Sequence, residues 1–158
     1  MTPTQRQSNI LVWLEPGWDE QKRREVVRQF GEWFPSERLP TLWAINSLER
    51  CLSVGVGIGD LDDVLSRMTS LVAVHPGAVA ECLALLLRDN RQLWHPVSWQ
   101  REVEDLLEAL LRTKDIAVRE KTLEIVNRLV EGGSLFARDI LARIKANVDA
   151  GNPASTSY

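Results

Sequence analysis

Seven times along this chain, apolar residues return every three or four positions until proline, glycine or a capping residue cuts the pattern. A face that repeats at that period belongs to an α-helix, and it must be buried against another helix. The segments run from Asp19 to Phe34, Thr41 to Ser53, Leu61 to Val74, Pro76 to Arg88, Trp99 to Thr113, Ile116 to Glu131 and Leu135 to Val148. The third has the clearest stripe: Leu61, Val64, Leu65, Met68, Leu71 and Val72. Asp60 stands as its expected N-cap, with Asp62 and Asp63 at the positive end of the helix dipole. Pro76 opens the fourth, where a missing N–H costs nothing. That segment is apolar nearly all round, so it is expected at the centre. Ser98, Asp115 and Ser134 are expected caps of the last three segments, and Gly132-Gly133 a left-handed stop for the sixth. Only "ILVWL", Ile10 to Leu14, has any strand character, and one strand has nothing to pair with. An all-α fold is expected.

Six of the segments sort into pairs. The pairs begin near residues 19, 61 and 99, a spacing of about 40 residues, which is the range of helix-pair solenoid repeats. Three pairs meet the minimum for such an array, and the seventh helix would close it. A chain of 158 residues fits one domain. Residues 1–17 are set aside as an N-terminal segment, 18–148 as the helical domain and 149–158 as a flexible tail. Hydrophobic content of 44% and charged content of 26% exclude disorder for the body of the chain. The N-terminus lacks a signal-peptide pattern, and the longest apolar run, "CLALLL", is too short to cross a bilayer. A cytoplasmic location with reduced thiols is expected.

Three stretches carry a resemblance: "FGEWF" (Phe30–Phe34), "LVAVHPGAVAECLALLL" (Leu71–Leu87) and "IVNRLVEGGSLFARDIL" (Ile125–Leu141). Together they resemble a helical region at the C-terminal end of large, multidomain bacterial NTP-binding proteins, some of them suspected of defence roles. The resemblance covers about residues 28–143 and is of the HEAT-like repeat kind. It implies antiparallel helix pairs stacked as a short right-handed superhelix. The chain holds no NTPase core, so architecture is implied and activity is not. A detached C-terminal region, or a separately encoded partner of such an NTPase, is the implied role.

Motifs that could carry chemistry meet simpler explanations. "SVGVGIGD" (Ser53–Asp60) is rich in glycine, but a phosphate loop needs a preceding strand, a lysine and a terminal hydroxyl. Here a helix precedes, lysine is missing, and Asp60, Asp62 and Asp63 would repel a phosphate. Glycines with positive φ turning one helix into the next are expected instead. Cys51, His75, Cys82 and His95 are separated by 24, 7 and 13 positions, without the close pairs of a structural zinc site. Core thiols and residues preceding helix-opening prolines (His75-Pro76, His95-Pro96) explain them. No metal, cofactor or catalytic set is expected. The net charge of −3, with basic clusters such as "KRREVVR" interleaved with acids, makes nucleic acid an unlikely partner. A HEAT-like nucleic-acid-binding protein is the alternative reading.

Six tryptophans are the least ordinary feature. Trp33, Trp43 and Trp99 lie on or beside apolar stripes; Trp94 and Trp99 flank the connector "LWHPVSW". Trp13 and Trp18 flank "LEPG" ahead of the first helix. An array cut from a longer one exposes the face of its missing neighbour there, and buried aromatics dominate interface hot spots. Trp13, Trp18, Trp33 and Phe34 are therefore the expected contact site for a protein partner or for self-association. At the other end, "RIKANVDAGN" reads as a polar cap.

Overall fold

The computed structural model describes residues 19–36, 38–53, 59–89 and 100–151, with the side chains of Asp89 and of residues 148–151 left aside. Seven α-helices and no strands occupy the described residues: α1 (Glu20–Trp33), α2 (Thr41–Ser53), α3 (Leu61–Leu71), α4 (Pro76–Asp89), α5 (Gln100–Leu111), α6 (Ile116–Glu131) and α7 (Leu135–Gly151). Each matches an expected segment to within a few residues at its ends. The widest differences are at the third segment, which ends at Leu71, and at the last helix, which continues to Gly151. The turn after Leu71 is tightened by Val74 and His75, whose N–H groups both donate to its carbonyl, at 3.1 and 2.8 Å. Trp99 and the Ser98 cap lie outside the described residues.

The ends of the helices follow from local chemistry. Asp19 accepts from the Gln21 N–H at 3.0 Å, and Asp115 from the Ala117 and Val118 N–H groups at 3.0 and 3.4 Å. Ser134 caps α7 by accepting from the Ala137 N–H at 3.4 Å. The α6–α7 turn is a Schellman motif: Gly133 sits at φ +91°, and the Ser134 N–H donates to the Leu129 carbonyl at 2.9 Å. Asp60 departs from expectation. Its φ of 50° and ψ of 47° are left-handed and its carboxylate makes no cap bond, although its carbonyl accepts from the Val64 N–H at 3.0 Å. A side-chain cap needs extended backbone at that residue, and left-handed backbone aims the carboxylate elsewhere.

Helix packing has a simple order. α1, α3, α5 and α7 pack successively on one another, and so do α2, α4 and α6. Within each pair, α1 meets α2, α3 meets α4 and α5 meets α6, while α7 packs on both α5 and α6. The two rows enclose one core, including Phe30, Ile45, Leu65, Met68, Leu83 and Leu107, all fully buried. α4 is the middle member of the shorter row, as its broad apolar surface predicts. No described helix is long and apolar enough to cross a membrane.

The glycine question is settled by sterics at Gly59. It does not have positive φ; among the described residues only Gly133 and Asp60 do. Instead its backbone lies against Gly31 in the last turn of α1. A methyl group on Gly31 would collide with the Gly59 carbonyl, and one on Gly59 would lie 2.8 Å from the Arg28 carbonyl oxygen. Two glycines let the turn ahead of α3 cross α1 backbone to backbone. Gly55 and Gly57 lie outside the described residues.

Candidate interaction surfaces

The first surface is the α1–α2 end of the rows. Phe30 is the hub of an aromatic cluster, its ring centroid 6.0 Å from Phe34 and 6.3 Å from Trp43, the latter edge-on. Helical spacing puts Phe30 and Phe34 on one face, one turn apart. Of the expected site residues, Trp33 is half-buried and packs on the core, as Trp43 does. Phe34 is fully buried, so it supports this end from within and presents no contact surface. Its neighbour along the chain, Pro35, lies in the turn that ends α1, where the Ser36 N–H donates to the Trp33 carbonyl at 2.9 Å. Trp13 and Trp18 lie outside the described residues.

The charged face of α1 is internally neutralised. Arg24 pairs with Glu20 at 2.7 Å, and Arg28 reaches Glu25 at 2.6 Å and Glu32 at 3.6 Å. The Glu25 carboxyl is held below its ordinary range by the hydrogen bond from Arg28, with Gln29 adding to it. These pairs are exposed and follow helical spacing, so they order a solvated face and add little stability.

The second surface was not foreseen. α6 and α7 are tied together at the Gly132–Ser134 turn, and toward the other ends of these helices a cleft of about 790 Å³ opens between them. Its apolar lining comes from Leu111, Ile116, Leu123, Ile140 and Ile144. Arg112, Arg119 and Arg143 stand around it with Glu108, Glu120 and Asn147. Both walls are helical stripes: Ile116, Arg119, Glu120 and Leu123 on α6, and Ile140, Arg143, Ile144 and Asn147 on α7. Ile116 is 63% exposed. Arg143 ties α7 to α5, donating to Glu104 at 2.9 Å and pairing with Glu108 at 2.6 Å. The polar reading of "RIKANVDAGN" passed over this cleft because Ile144, which lines it, stands between Arg143 and Lys145 in that stretch. Set beside Ile144, the apolar Ile116 and Leu123 at helical spacing on α6 were the available signal.

The residues that invited a metal reading are dispersed into other roles. Cys51 and Cys82 are free and buried on the facing helices α2 and α4. The Cys82 thiol donates to the Ile45 carbonyl oxygen at 3.7 Å. Burial pushes the Cys51 thiol up to about 12, and Cys82 is raised by burial and then by the nearby Glu49 and Glu81 carboxylates. His75 is half-buried just before α4, its Nε2 3.5 Å from the Thr41 hydroxyl. No cluster of three metal-ligating side chains occurs among the described residues, and His95 lies outside them. Comparison with protein-family models, curated proteins and solved structures gives no significant match to this chain.

Proposed function

We propose that this chain is a non-catalytic interaction module of the HEAT-like kind, its pairs winding as a short right-handed superhelix, that holds a protein partner or a second copy of itself. The observation that supports this reading is the next-but-one packing of the helices. In such an order each row ends in a helix with one face lacking a successor, and that face is where a repeat protein takes up its neighbour. α1 is such an end, with Trp33 and Trp43 half-buried over Phe30 and Phe34. Trp13 and Trp18, a few residues ahead of α1, supply the remaining aromatic contacts in this proposal. The resemblance to the C-terminal region of large bacterial NTPases makes such an NTPase the natural partner class, with this chain as its detached or separately encoded helical end.

Molar mass measured by light scattering over a concentration series tests the self-association form. Wild-type mass should rise with concentration, and Trp18→Ala should weaken association by about 2 kcal/mol, roughly 30-fold. A wild type of one chain mass throughout, with tryptophan emission already that of buried rings, would refute the site.

A further inference from the structure

Resting on the reading of the chain as an interaction module, we propose that the groove between α4 and α6 takes up a short acidic segment of a protein partner, one aliphatic side chain flanked by carboxylates. Glu81 on α4 and Lys121 on α6 pair across this groove at 3.2 Å. A hollow of about 300 Å³ opens further along it, floored by Ala84, Leu87, Ile125 and Leu129 and lined also by Arg88 and Arg128. The residue numbers rise together on both sides, so the two helices run in parallel. Glu81 and Lys121 are 40 positions apart, and so are Arg88 and Arg128, each seven residues beyond its predecessor. Seven residues are close to two turns, so the arginines continue the stripes of the ion pair, about 10 Å further on.

Charge selects the occupant. Among the described residues, the charged side chains lining the hollow are both arginines, in a chain whose net charge is −3. Arg128 is exposed and forms no ion pair among the described residues; Glu124, one turn earlier on α6, is exposed as well and makes no bond to it. Guanidinium groups over an apolar floor complement a carboxylate beside an aliphatic side chain, the pattern by which arginines take acidic motifs. Length makes that occupant a peptide. The distance back to the Glu81–Lys121 pair matches about three residues of extended chain. Both members of the pair are partly exposed, so they can meet the main chain of such a segment with a donor and an acceptor. This face lies on the α2–α4–α6 row, apart from the aromatic α1 end.

The test titrates isotope-labelled full-length protein with a capped synthetic peptide, Asp-Asp-Leu-Asp-Asp, and follows the backbone amide resonances. Shifts should gather at residues 84–88 and 125–129, and binding should weaken as salt is added. Arg128→Glu changes an exposed side chain, so it should keep the melting temperature of the wild type. It should bind the acidic peptide about tenfold more weakly or worse. The charge-reversed peptide Lys-Lys-Leu-Lys-Lys should in turn prefer Arg128→Glu over the wild type. Ala84→Leu fills the floor and leaves both arginines, and it should weaken the acidic peptide as well. Equal binding of the acidic and basic peptides by the wild type, or an acidic peptide indifferent to Arg128→Glu, would overturn the proposal. Isovalerate, a free aliphatic carboxylate, binding as tightly as the peptide would make the hollow a small-molecule site and overturn it too. A wild type that refuses the peptide yet associates through the α1 end would overturn the groove and leave the interaction module standing. Failure of both would overturn both readings.

Discussion

The two ends of the helix rows are built by different means. At the α1 end, backbone meets backbone where Gly31 crosses Gly59, and an aromatic hub around Phe30 fills the space beside it. At the α7 end, the last helix is bridged to α5 through Arg143, and a largely apolar cleft is lined by α5, α6 and α7. One end is close-packed and tolerates little change in volume. The other is anchored by Phe136, Ala137 and Ile140 in the core, but beyond them it borders a cleft and exposed charges, where change should be better tolerated. Repeat-like packing thus does not make the ends equivalent.

The largest expected difference is at the hub. Phe30→Ala should lose about 3–5 kcal/mol in denaturant unfolding, because a fully buried ring leaves both transfer and cavity costs. A loss under 1 kcal/mol would mean that the aromatic end is as yielding as the cleft. Gly31→Ala should cost about 1–3 kcal/mol by overpacking against the Gly59 carbonyl, even though alanine favours a helix. Gly77→Ala is the control: nothing stands near its added methyl in α4, so stability should hold or rise by a few tenths of a kcal/mol. Equal effects of the two substitutions would remove the close crossing.

Arg143→Ala should cost less than about 1 kcal/mol, since the side chain is 54% exposed, and the loss should shrink as salt is added. The smallest effect sharpens the comparison by pH. Cys51 has its thiol raised from 9.0 to about 12 in the folded state. The stabilisation from keeping it protonated is complete below pH 9 and is lost as pH rises toward 12. Thiol labelling at pH 8 should accordingly proceed only through opening of the α2–α4 contact. Phe30→Ala should speed it strongly and Arg143→Ala hardly at all; similar acceleration by both would mean that the two ends open as one.

Much of this architecture could be read from periodicity. Stripes such as Leu61, Val64, Leu65, Met68 and Leu71 declare a helix wherever it is placed, and Asp115 or Gly133 act within one turn of themselves. Asp60 and Gly59 show where such reading stops. Whether a turn is extended or left-handed there depends on α1 lying across it, nearly thirty residues earlier in the chain. A glycine inside α1 was the available clue, because at Gly31 it gives up helix stability that alanine would provide. Of the expected contact residues, Phe34 lies on an inward face that its helical spacing with Phe30 already implied. The cleft takes its lining from three helices, and no single stripe specifies how the three are set against one another.

Every extensive contact between helices joins elements no more than two places apart along the chain. That closeness makes loop closure inexpensive at each step, so folding should be fast for a chain of this length and free to begin at more than one pair. It also suits synthesis from one end. When α3 and α4 emerge, α1 and α2 already offer the surfaces they need, and each later pair finds its template waiting.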